Sequence, residues 1–171
     1  MNFYFSEIPS IKFQNNIFLK DIITSTYDIS LKYFLFMVSQ KTIQLPLFSR
    51  GFHLITDYIL GELPELTGIV HVFIQHTSAA LTINENADST VRIDFETFFN
   101  KLVPEDSKIF LHIDEGTDDM TSHIKSSLLG NSISFPIKKG IAQLGVWQGI
   151  YLCEFRNKAR RRSIIITLIG E

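Results

Sequence analysis

Residues 67–83 read TGIVHVFIQHTSAALTI, and their pattern decides the fold class. An extended chain turns successive side chains to opposite sides, so positions two apart share a face. Val70, Val72 and Ile74 then line one apolar face, which His76 closes, while His71 points the other way. AALTI (Ala79–Ile83) predicts a second strand, followed by the polar cluster NENAD, Asn84–Asp88. The question is why a histidine and a knot of carboxylates and amides stand at the mouth of a core.

Working outward, SQKTIQLPL (39–47) predicts a strand, SRGF a turn, and HLITDYILGELPEL a helix running to Gly61 or Pro64. Beyond the cluster, Asp88 suits a helix N-cap, and Val91, Phe95, Phe98, Phe99 and Leu102 recur at helical spacing as core residues. SKIFLHID (107–114) predicts a strand with Ile109, Leu111 and Ile113 on one face. DEGTDDMTSHIKSSLLG predicts a turn and then a helix ended by Gly130. Met120, Ile124 and Leu128 form its expected core stripe, with Asp119 and His123 on the edge beside it. A hairpin (SISFPI, KKG, IAQLG) and the strands GIYLCEF and SIIITLIGE complete the chain. Together these predict an α+β fold, mainly an antiparallel sheet or sandwich with a few packed helices.

Composition narrows the function classes. The chain has 171 residues, 45% hydrophobic and 20% charged, with a formal net charge of −2. That permits a full core and supplies no global field for nucleic acid. RNKARRR (156–162) is a local basic run, open to two readings: a solvated loop or a polyanion site. The single cysteine, Cys153, lies in an apolar run and reads as an inert buried thiol. No apolar run approaches the ~20 residues of a membrane helix. Residues 1–36 differ in character and read as an N-terminal extension of uncertain status before a domain at 37–171. The expected location is cytoplasmic, with organelle targeting by the extension left open.

His76, His112 and His123 are the chemistry-bearing histidines. Imidazole is the commonest metal ligand, and three can hold a zinc-type ion with one position open. Their spacing is not of the HExxH type, so the alternative of three separate hydrogen-bonded histidines stands beside the metal reading. Asp114, Glu115, Asp118 and Asp119 could orient such ligands or cap a helix. Glu154 shares parity with Ile150 and Leu152, so it faces an apolar layer and needs a cation, a metal or a proton. Lys125, Ser126, Ser127 and Arg156 are candidate phosphate contacts, with no Walker or GxGxxG loop among them.

GFHLITD, QHTSAALTINENAD, DEGTDDMTSHIKSSLLG, GVWQGIYLCEFR and IIITLIGE resemble, in one order, the YjbQ (UPF0047) family. The resemblance spans about Met37 to Glu171. It implies a compact α+β homotrimer with a site near subunit boundaries, built on His76, His112 and His123 around a divalent, zinc-like ion. It also implies the family's label, secondary thiamine-phosphate synthase, acting on a small phosphorylated molecule. Glu85 and Trp147 join Lys125, Ser126 and Arg156 as substrate candidates; in a hydrolytic reading, Glu154 or Asp119 would take the proton of a metal-activated water. The family's GTWQG reads GVWQG here, so Val146 removes a hydroxyl beside Trp147. Two other functions compete: metal-dependent hydrolysis of a phosphate ester, and a non-catalytic trimer holding a structural ion.

Overall fold

The computed structural model describes residues 37–105 and 107–171; the extension expected at 1–36 lies outside the described residues. Among the described residues eight strands form two antiparallel sheets. The larger has the order β1 (Met37–Gln44), β8 (Ser163–Gly170), β3 (Gly68–Ile74), β5 (Ser132–Lys138), β6 (Ile141–Ala142). The smaller has the order β2 (Gly51–Leu54), β7 (Gln148–Glu154), β4 (Ala79–Glu85). Among the described residues three α-helices accompany them: α1 (Thr56–Leu60), α2 (Thr90–Leu102) and α3 (Thr117–Leu129).

Alternation along the strands explains the layering. Val70, Val72, Ile74, Ile164, Ile166 and Leu168 turn inward from the large sheet. Leu81, Ile150 and Leu152 meet them from the small one. Each such side chain, fully buried, contributes roughly 1.5–3 kcal/mol. The opposite face of the small sheet carries Phe52, Ala80, Tyr151, Cys153 and Phe155, against which Phe95 and Phe99 of α2 pack. β7 is therefore covered on both sides, and Cys153 is wholly buried, its thiol pKa pushed up by desolvation. The α+β architecture holds.

Two places require glycine. Gly68 and Gly170 are register partners across β3 and β8, and a methyl on Gly68 would run into the Ile169 carbonyl and Gly170 Cα. The β5–β6 hairpin turns through Lys139 and Gly140, both at positive φ (49° and 76°), the signature of a tight two-residue turn.

Four expectations are corrected. GFHL is strand β2, held by β7, which leaves only Thr56–Leu60 helical. SKIFLHID is not a strand: Ser107–Ile109 is one 3₁₀ turn, and Ile109, Leu111 and Ile113 are exposed. Alternation predicted a strand there, but no described strand pairs with the segment. No α2 residue is fully buried, and Phe98 and Leu102 are exposed. α3 buries its polar face (Asp118, Asp119, Thr121, Ser122, Lys125, Ser126) and exposes Leu128. Hydrogen bonds and ion pairs orient that helix, outweighing its apolar stripe: Ser126 Oγ donates to Ala79 O at 2.7 Å and Lys125 Nζ to Asn100 Oδ1 at 2.8 Å.

Candidate functional site

The chain passes from the large sheet to the small one between Ile74 and Ala79, so β3 and β4, adjacent in sequence, lie in different layers. His76 and Thr77 occupy that crossing. The β7–β8 connection, the loop before α3 and the first turns of α3 converge on the same end. The β3–β4 crossing, the loop before α3 and α3 itself line a cavity of about 720 Å³ with His76, Thr77, His112, Met120, His123 and Ser126, among others. An adjoining space of about 780 Å³ shares Thr77, His112 and His123 and adds Asp119 and a basic wall.

Asp119 is the centre of this end. Its side chain is 4% exposed, and its Oδ1 pairs with Arg156 Nη1. Oδ2 is buried and accepts no hydrogen bond, although His112 Nε2 lies 2.7 Å away and His123 Nε2 3.6 Å. Asp119 and His123 are four apart on α3, so one helical face presents both. The Thr77 carbonyl, 2.9 Å from His123 Nδ1, must accept a hydrogen bond from it. That bond places Nε2 on the side of Asp119, where it can serve as the ligand atom. Ligand atoms of His112, Asp119 and His123 all fall within 4.8 Å of one another. Two imidazoles and a carboxylate are a donor set that suits a zinc-type divalent ion. A buried carboxylate oxygen without a donor is costly unless a cation meets it. On that observation the residues fit the metal that the family resemblance implies.

His76 is used differently from the expected third ligand. The Ser163 backbone N–H donates to its Nε2 at 2.8 Å, so a neutral ring carries its proton on Nδ1. Neither nitrogen then offers a free lone pair. Burial, assisted by the nearby Arg162 charge, lowers its pKa and favours that neutral form. The structure brings His112 and His123 together with Asp119, and ties His76 to the start of β8.

The remaining candidates divide. Glu154 is 1% exposed and takes both Arg162 nitrogens, Nε on Oε2 and Nη2 on Oε1, each at 2.6 Å. The cation that strand parity demanded is thus Arg162, and Glu154 does not line the cavity. Arg156 does, spanning Asp118, Asp119 and the Glu115 carbonyl. Ser126 lines it while bonded to Ala79. Lys125 is buried away from it against Asn100, its pKa lowered by desolvation and then by Arg50. Glu85 pairs with Gln148 at the far end of the β4–β7 ladder from Ala79 and Glu154, about 20 Å of strand away. Trp147 precedes Gln148 there and is exposed. Asp88 is not the N-cap expected of it, since Ser89 holds that position; from one residue earlier its Oδ1 accepts from Thr90 N–H at 2.8 Å and from the Thr90 hydroxyl, which lowers its pKa. Sequence reading missed Lys158, Arg160 and Thr77; the basic run was visible, its direction was not.

Comparison with known proteins agrees with the motifs. Residues 41–171 match the family described as UPF0047 protein YjbQ-like. The UPF0047 protein YjbQ of Escherichia coli O157:H7 is 52% identical over 136 residues, covering 77% of this chain and 98% of that protein. YugU of Bacillus subtilis strain 168 is 36% identical, covering 67% of this chain and 83% of its own. Among solved structures, a conserved hypothetical protein from Thermus thermophilus superposes with a TM-score of 0.69 at 33% identity, covering 75% of this chain and 98% of that one. With the fold and motifs in agreement, the chain belongs to the YjbQ (UPF0047) family.

Proposed function

We propose that this protein is a metal-dependent enzyme acting on a small phosphorylated molecule, with His112, Asp119 and His123 as the ligands of a divalent, zinc-like ion. The observation that carries the reading is the convergence of two imidazole nitrogens on Asp119 Oδ2, a buried oxygen with no aligned hydrogen bond: His112 Nε2 lies 2.7 Å away and His123 Nε2 3.6 Å. An ion bound there would polarise a phosphate oxygen and offset charge on a leaving group. The chain's own residues prepare the place. Arg156 fixes Asp119 through Oδ1, Thr77 fixes the His123 tautomer, and Ser163 fixes His76. The protonated Nδ1 of His76, on the cavity wall, is a donor for a developing oxyanion.

In its finer form this is the activity implied by the family resemblance, thiamine-phosphate synthesis. A pyrimidine methyl diphosphate would join a thiazole phosphate and release pyrophosphate. One observation on the single chain favours a second chemistry, hydrolysis of a phosphate ester: the His112 side chain is 52% exposed there, so water reaches the site wherever a second copy leaves His112 uncovered. Neither carboxylate offered as a proton acceptor is then free for a water proton: Glu154 is committed to Arg162, and Asp119 gives Oδ1 to Arg156 and Oδ2 to the ion. The homotrimer is part of the same proposal. Leu111 and Ile113, exposed on either side of His112, are surfaces that a second copy would cover.

The test is turnover by the zinc-loaded protein, offered the two thiamine precursors and, separately, a phenyl phosphate ester. Expected is turnover of one of the two that is lost on chelation and lowered at least about 100-fold by Asp119→Asn. Turnover that survives both chelation and Asp119→Asn, or none with either substrate class, contradicts the proposal.

A further inference from the structure

We propose that Lys158 and Arg160 are the phosphate-binding arm of this cavity, a role separate from that of the other arginines in their loop. The proposal rests on the metal-site reading for where the ligand lies, and on the side-chain pairing below for the arm itself.

The loop from Phe155 to Arg162 joins β7 to β8 and carries Arg156, Lys158, Arg160, Arg161 and Arg162. The structure sorts these five cations. Arg162 turns inward and is held by Glu154 through two bonds of 2.6 Å. Arg156 is half-buried between Asp118 and Asp119 and donates to the Glu115 carbonyl at 2.8 Å. Both are consumed by structural partners. Arg161 is exposed and does not line the cavity. Lys158 and Arg160 line the same space as His112, Asp119 and His123, and neither forms an ion pair with an acid among the described residues.

Charge decides what these two cations would take. Of the cavity's own residues and the acids paired to its arginines, Asp118, Asp119 and Glu154 outnumber Arg156 and Arg162 by one, and Glu115 adds one more acid. Lys158 and Arg160 cancel that excess. A divalent ion on His112, Asp119 and His123 would leave two uncompensated positive charges, the complement of a phosphate dianion. Arg offers a planar fork to phosphate oxygens and Lys a mobile point charge, so the pair can follow a phosphate without rigid geometry. The hydroxyls of Thr77 and Ser78 line the same wall as further donors. Lys125, the sequence-level phosphate candidate, is sealed against Asn100, so the arm replaces it in that role.

The experiment measures inorganic phosphate affinity by calorimetry on the full chain, with zinc and after chelation, alongside metal content. In Lys158→Gln/Arg160→Gln the expected result is unchanged metal content and a loss of phosphate affinity of about tenfold or more, with or without zinc. Arg161→Gln, which removes a neighbouring cation outside the cavity, should change affinity less than about twofold. His123→Ala should lose zinc yet keep the arm-dependent difference, so a failure of the metal site and a failure of the arm give different results. Three outcomes overturn the arm: no phosphate binding by the wild-type chain, an unchanged affinity in the double variant, or an equal loss in Arg161→Gln, which would mark a diffuse surface charge.

Discussion

At the level of single side chains, Asp119 is held on one oxygen by Arg156 and faces two imidazole nitrogens, without an aligned hydrogen bond, on the other. That asymmetry separates a ligand from an ion-pair partner. Glu154 shows the opposite case, with both oxygens taken by Arg162. Removing one member of such a buried pair strands the other charge. Glu154→Ala should therefore lower unfolding free energy by about 3–5 kcal/mol in urea melts, whereas Glu154→Leu/Arg162→Met should cost far less. Equal losses in both variants would assign the effect to packing. Parity along β7 already said that Glu154 needed a cation, because Ile150 and Leu152 share its face. The identity of that cation was hidden, since Arg162 lies beyond a loop that has no periodicity to read. The histidines were legible as residue types; their tautomers were not, because Thr77 O and Ser163 N–H are backbone groups brought in by the fold.

Among elements, strands read well where both faces of the pattern were satisfied within the chain. β3 and β8 follow their alternation because each has hydrogen-bonded neighbours and one core face, whereas β7 is buried on both faces between the core and α2. The β3–β8 register is pinned where Gly68 faces Gly170. Gly68→Ala should destabilise by about 1–3 kcal/mol, read as a lowered denaturant midpoint with unchanged slope. A neutral outcome would mean that the strands separate there at little cost. SKIFLHID and α3 were misread for a shared reason. Periodicity reports which side chains are apolar, whereas these segments are placed by polar contacts and leave Leu111 and Leu128 outside. An apolar pattern that the chain does not bury itself is what an assembly interface looks like in one sequence.

For the whole molecule, the functional end is where two sheets, the β7–β8 loop and α3 meet, and its residues come from segments far apart in sequence. Glu85 and Trp147 lie at the opposite end of the β4–β7 ladder, so within one chain they do not reach it. Leu111→Glu should convert the proposed trimer to monomer in sedimentation velocity while leaving far-UV dichroism intact; an unchanged sedimentation coefficient would place the interface elsewhere. The central claim, a metal held by His112, Asp119 and His123 and not by His76, is tested most directly by elemental analysis of zinc-reconstituted, desalted protein. The account predicts about one ion per chain in the wild type and in His76→Gln, and little in Asp119→Ala or His123→Ala. A wild type without metal, or variants at Asp119 and His123 that retain it in full, would contradict the account.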